Sequence, residues 1–192
     1  MALQETEDLI SVEDYLAGEL VSELKHEFLG GAVHAMADAT MGHNLAASNA
    51  LGSLHSCLKG KPCRPFNSDT KVRIKLPNQI RFYYPDLQVI CSPVDQNSTF
   101  TDSPNVVVEV LSDSTRRIDE GEKRDAYLTL ASLEVLILID PTKVLVKIDR
   151  RDATGAFQKE NYRDRTETIE LPKIGAQLPL RDIYSGLEFD EG

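Results

Sequence analysis

Two carboxylates stand where a charge is hard to keep. Asp86 opens the run Asp-Leu-Gln-Val-Ile-Cys at 86–91, and Glu109 interrupts Asn-Val-Val-Val-Glu-Val-Leu at 105–111. Apolar, β-branched runs of this length, bounded by Pro and polar residues, suit strands covered on both faces. A carboxylate there is costly unless it is paired, protonated or bound to a cation. Strand alternation groups Asp86 with Gln88 and Ile90, and Glu109 with Val107 and Leu111. If the two runs pair, both acids project from one sheet face. Two ionised carboxylates in contact repel, so either one holds a proton or a cation sits between them. A divalent metal shared by Asp86 and Glu109, with Gln88 lining the same face, is the chemistry this pair supports.

Further side chains join the pair once their elements are placed. Ser112-Asp113-Ser114-Thr115 caps a helical region predicted from Arg116 to Leu130. On it Asp119, Lys123 and Tyr127 fall at i, i+4 and i+8, and Ala126 and Leu130 extend that stripe. Lys123 therefore lies on the side facing the sheet. It could snorkel outward, pair with Asp119, or reach an acidic site, and the last is the reading adopted, with Tyr127 lining the same place. Residues 24–37 read as a hairpin, Leu24 to Leu29 and Ala32 to Ala37 around Gly30-Gly31. Alternation puts Lys25, Glu27 and Leu29 on one face, making Glu27 either a surface residue or a third acid. Residues 42–58 have helical period, with Ala47, Ala50, Leu51, Leu54 and Leu58 as the apolar stripe. His43 stands at its N-terminal end, facing the site or capping the helix. Hard oxygen ligands and a nearby lysine suit a metal that activates water for phosphodiester hydrolysis.

The remaining elements frame these residues. Thr70 to Leu76 alternates strictly, sending Lys71, Arg73 and Lys75 to one face; three cations along a strand either track a phosphate backbone or form a solvated sheet face. Glu134 to Asp140 is a third apolar run, and Val144–Ile148, Phe157–Tyr162 and Thr166–Leu171 read as antiparallel strands. Leu178 to Tyr184 is a docking segment. The 192 residues suffice for a single domain spanning 1–192, with acidic ends at 1–10 and 186–192 expected to be flexible. No apolar run approaches a membrane span, and the acidic N-terminus has no basic and apolar leader, so a cytoplasmic protein without a membrane partner is expected. Three cysteines, Cys57, Cys63 and Cys91, without a C-x-x-C pair argue against a disulfide framework and a structural zinc site. A net charge of −10 excludes a generally basic nucleic-acid binder, so a nucleic-acid role needs a local basic surface or a metal.

Taken in order, the residues resemble a known family. The matching pieces are His-Glu-Phe-Leu-Gly-Gly at 26–31, Gly42-His43-Asn44, Ser68 to Ile74, and Tyr84-Pro85-Asp86. They continue with Val108-Glu109-Val110-Leu111-Ser112, Lys123 to Tyr127, and Ile139-Asp140-Pro141. The chain resembles the Uma-type restriction endonuclease family, within the PD-(D/E)xK nuclease superfamily, over about residues 11–184. The resemblance implies an α/β fold: a restriction-endonuclease-like core with a mixed β-sheet flanked by helices, an N-terminal hairpin and C-terminal antiparallel strands. It also implies a Mg- or Mn-dependent nuclease site at Asp86 and Glu109, Glu27 as an extra ligand, and DNA as substrate. A homodimer would let two sites cut two strands. The superfamily places a lysine two residues after the second acid, where this chain has Leu111. Lys123 on the following helix is the substitute. Leu136 stands where an aromatic residue is common, which affects packing more than chemistry.

Overall fold

Local signals start each element of the computed structural model, which describes residues 9–36 and 38–189. Ser11 is extended and its Oγ accepts from the Asp14 N–H, opening α1 (Val12–Glu19). Gly30 and Gly31 both have positive φ, the backbone a two-residue turn between β1 (His26–Leu29) and β2 (Ala32–Ala35) requires. Thr40 accepts from the His43 N–H and caps α2 (Met41–Leu58). Then come β3 (Arg64–Asn67), β4 (Lys71–Leu76), β5 (Gln79–Tyr83), β6 (Leu87–Ile90), β7 (Phe100–Thr101) and β8 (Val106–Val110). Two short helices, α3 (Arg116–Asp119) and α4 (Glu122–Leu128), lead to β9 (Val135–Ile139), β10 (Val146–Arg151) and β11 (Phe157–Tyr162). The chain closes with β12 (Thr168–Leu171), β13 (Ala176–Pro179) and α5 (Leu180–Ile183).

A six-stranded mixed sheet, ordered β11-β10-β9-β8-β6-β3, carries both acids. β6 and β8 are antiparallel neighbours, with Leu87 opposite Val108 and Gln88 opposite Val107. β8 and β9 are parallel, so a crossover must join them, and α3 and α4 supply it. A second sheet, β2-β1-β5-β4-β7, brings the N-terminal hairpin alongside β5 and β4, and β12 pairs with β13. No described helix is long and apolar enough to cross a membrane.

The sheet faces explain where the site lies. On one, Val106, Val108 and Val110 pack with Ala46, Ala50, Leu54 and Leu58 of α2 and with Leu178, Leu180 and Ile183. The α2 stripe is turned by about one residue from its expected position: Ala46 is fully buried, and Ala47 and Leu51 pack at its margin. On the other face, Val107 and Leu111 meet Ala126 and Tyr127 of α4 and Val72, Ile74 and Tyr83 of the second sheet. Each fully buried large apolar side chain contributes about 1.5–3 kcal/mol. Glu109, alternating with Val107 and Leu111, points into this second, double-covered layer.

Two expectations are corrected. Cys63 and Cys91 form a disulfide, with a Cα–Cα distance of 3.9 Å. The β3–β6 register sets Arg64 opposite Ile90, so residues 63 and 91 meet just beyond the paired strands, a closeness that a 28-residue separation conceals. The single helix expected from Arg116 to Leu130 is two, broken at Gly121, whose φ of −113° and ψ of −107° are not helical. In the described parts of the acidic ends the Ile10 N–H donates to Gly31 O, Leu187 is buried, and Phe189 packs edge-on to Tyr184. Residues 1–8 and 190–192, and Ala37 of the expected hairpin, lie outside the described residues.

Candidate active site

Asp86 occupies the bend that leads into β6, so the strand start fixes its position. Its Oδ2 accepts the Val110 N–H at 2.7 Å, stitching the first acid to the residue beside the second. His43, from the first turn of α2, brings Nε2 to 3.4 Å from the same oxygen. Burial raises the Asp86 carboxyl above its ordinary range, against the opposing pull of the His43 charge and the Val110 hydrogen bond.

Glu109 is deeper. It lies in the middle of β8 and its Oε1 accepts the Tyr127 hydroxyl at 2.8 Å. Burial pushes its carboxyl up to about 8, although Lys123 pulls it down. Tyr127 is itself held well above its ordinary range by burial and by Glu109, so it remains a hydroxyl donor.

Lys123 completes the cluster from α4. Its Nζ stands 2.8 Å from Glu27 Oε1, 3.0 Å from Glu109 Oε1 and 3.7 Å from Asp119 Oδ1. Burial opposes the ammonium, but Glu109, Glu27 and Asp119 together overcome that and hold it above the usual lysine range. Its side chain is 7% exposed, so it does not snorkel to solvent. Four carboxylates, Glu27, Asp86, Glu109 and Asp119, thus gather around one lysine and one histidine.

The structure brings Asp86, Glu109, Lys123, His43 and Tyr127 together, with Glu27 joined to them through the lysine. Expected as a third metal ligand, it is the nearest partner of the lysine, and its Oε1 also accepts the Tyr84 N–H at 3.4 Å. Among the described residues no three His, Cys, Asp or Glu side chains gather closely enough to hold a metal. Asp86 and Glu109 still fit a hard cation. Glu109 is buried and Asp86 half-buried, each with one oxygen fixed, and neither second oxygen has a hydrogen bond among the described residues. A magnesium-type ion takes one or two carboxylates and completes its shell with water and substrate phosphate.

Other expected residues sit differently. Gln88 is fully buried and donates Nε2 to Thr70 O and Oγ1, both at 3.0 Å, tying β6 to the start of β4. The row Lys71, Arg73 and Lys75 is not an open cationic face. Lys71 is buried against the Tyr84 hydroxyl at 3.2 Å, and burial lowers its ammonium. Arg73 binds Asp102 in bidentate fashion at 2.7 and 2.6 Å, and Lys75 reaches the same carboxylate at 3.1 Å. Lys71 and Arg73 are thus partnered within the protein, whereas the Lys75 side chain is 60% exposed and shares Asp102 with Arg73. Asp119, which the sequence offers only as an ion-pair partner for Lys123, also belongs to the cluster, and its i, i+4 spacing from Lys123 is the signal for it.

Gly121 sets the approach of α4. A Cβ there would lie 2.8 Å from Arg117 O, a backbone atom that cannot step aside. Gly121→Ala is expected to destabilise the fold by about 1–3 kcal/mol as an overpacked contact, read as a lower urea midpoint. An unchanged midpoint would show that α3 and α4 are free to shift.

Comparisons with known proteins agree with this architecture. A family model described as "Uma2: Putative restriction endonuclease" matches residues 12–181. The Synechocystis protein slr1290, described as uncharacterized, is 33% identical over 181 residues, covering 94% of each chain. A second Synechocystis protein, sll1609, also described as uncharacterized, is 27% identical over 143 residues, covering 73% of this chain and 80% of its own. A crystal structure from Anabaena variabilis, described as a putative nuclease belonging to DUF820, superposes with a TM-score of 0.69 at 20% identity. It covers 87% of this chain and 93% of its own, a likeness of fold. With a family model spanning nearly the whole chain and a relative one-third identical over the same length, this chain belongs to the Uma2 family.

Proposed function

We propose that the protein is a metal-dependent endonuclease that hydrolyses phosphodiester bonds in DNA, with Asp86 and Glu109 as metal ligands and Lys123 as the assisting cation. The observation that carries this reading is the Lys123 ammonium 3.0 Å from Glu109 Oε1, delivered from a different element than the superfamily pattern uses. When bound, Mg or Mn supplies Lewis-acid polarisation of the phosphate and acidifies the attacking water. Asp86 and Glu109 each offer one carboxylate oxygen, their other oxygens being fixed by Val110 and Tyr127. Lys123 presents a permanently charged donor to the negative charge that grows on the phosphoryl oxygens. Glu27, 2.8 Å away, would keep that ammonium partnered with a cation bound at Glu109. A dimer would place two such sites on opposite strands.

The test is plasmid relaxation with Mg or Mn. Wild type is expected to nick supercoiled DNA, and Asp86→Ala to be slower by about 10²-fold or more. Equal cleavage by both proteins would remove Asp86 from the chemistry. A second reading, a nuclease fold kept as a non-catalytic binding module, is favoured by the ammonium already seated on Glu27 and Glu109 and by the −10 charge. It predicts no cleavage of any DNA substrate by wild type.

A further inference from the structure

We infer that Asp119, oriented by Thr115, is a positioning residue that holds the Lys123 ammonium at the site; this rests on the endonuclease reading. A lysine side chain has four rotatable bonds, and its charge is useful only where it is held. Three carboxylates from three elements surround this one: Glu27 of β1, Glu109 of β8 and Asp119 of α3. In the proposed reaction Glu109 would also hold the cation through its other oxygen, which leaves Glu27 and Asp119 as the two carboxylates with no task besides holding the ammonium.

The surroundings of Asp119 suit that task and no evident other. It is buried, and its Oδ2 accepts the Thr115 hydroxyl at 2.5 Å, which turns Oδ1 toward Lys123. Thr115 Oγ1 in turn lies 2.8 Å from Ser112 Oγ, three residues beyond Glu109. The segment that carries the second acid therefore also aims the group that steadies the lysine. Asp119 does not cap α4, whose N-cap is Gly121 and has no side-chain hydrogen bond. Nor do Asp119 and Lys123 share one regular helix, because the Gly121 joint separates α3 from α4. Their approach is set by that joint and by the Thr115 hydrogen bond.

Asp119→Asn keeps the shape and removes the charge; Thr115→Val removes the orienting hydroxyl and Thr115→Ser restores it. In the full-length protein with Mg, Asp119→Asn is expected to lower kcat by about 10²-fold with KM for plasmid DNA unchanged, since the lysine acts on charge that appears only in the transition state. Thr115→Val should lower kcat less, and Thr115→Ser should recover it. Independently of activity, the ¹⁵N signal of the Lys123 ammonium should be slow to exchange in wild type and Thr115→Ser. It should be lost in Asp119→Asn and Thr115→Val while their circular dichroism is unchanged. An active wild type whose kcat and ammonium signal both survive Asp119→Asn overturns this inference alone. A wild type that cleaves no DNA overturns the endonuclease reading, and the ammonium signal then still decides whether Asp119 holds Lys123.

Discussion

Lys123→Met is expected to be the most damaging conservative-sized change in the protein, lowering both stability and activity. Methionine matches the aliphatic stem, so packing is largely kept, but the ammonium that neutralises Glu27, Glu109 and Asp119 is gone. Breaking a buried ion pair from one side strands the other charge and costs about 3–5 kcal/mol. The loss should be greater at pH 8 than at pH 5, because at pH 5 Glu109 carries its own proton and repels its neighbours less. Urea unfolding at the two pH values measures this. Cleavage should fall by about 10²–10³-fold, the scale for removing one donor aimed at developing charge. A variant as stable and as active as wild type would mean that the ammonium neither neutralises the acids nor serves the reaction.

Glu109 should make the metal-free protein less stable as pH rises. Its carboxyl titrates at about 8 in the folded protein, above the ordinary 4.5. Between those values the native chain holds a proton that the unfolded chain has released. Its contribution is therefore fully present below the unfolded value and is lost as pH climbs through 8. Each unit of separation corresponds to about 1.4 kcal/mol, so the fall from pH 5 to pH 8 is on the order of 3 kcal/mol. The Lys123 ammonium stays charged throughout this range and does not reverse the trend. A divalent cation takes the ionised carboxylate, so stabilisation by Mg or Mn should grow over the same interval as a proton is displaced. Glu109→Gln should flatten the metal-free profile and remove the cation's effect. Melting temperatures at pH 5, 6.5 and 8, with EDTA or Mn, test both statements. A wild-type profile that rises with pH would place the proton on another group.

Much of this site was legible before any tertiary contact was known. The apolar runs around Asp86 and Glu109 demanded covered strands, and pairing of those strands made the acids neighbours; β6 and β8 are adjacent and antiparallel. The helical stripe turned Lys123 toward the sheet, and it is buried there. Charge–charge contacts between distant segments were not legible. Nothing local distinguishes Lys71, Arg73 and Lys75 from a solvated row until Asp102 and Tyr84 arrive from elsewhere in the chain. Glu27 has the same composition and alternation whether it faces a metal, water or a lysine. The Cys63–Cys91 bond depends on β3 pairing with β6, a long-range choice of neighbour.

Periodicity, capping and apolar run length are properties of consecutive residues, and they determined the strands, the hairpin, the long helix and the pair of awkward acids. They also determined that a lysine would be buried nearby. What only the tertiary structure decided is how the charges are partnered: Glu27, Glu109 and Asp119 surround the ammonium, while Val110 and Tyr127 each fix one oxygen of Asp86 and Glu109. The reason is range. Backbone preference and side-chain alternation act over a few residues, whereas a buried ion pair depends on which distant segments the packing of two sheets brings within about 4 Å.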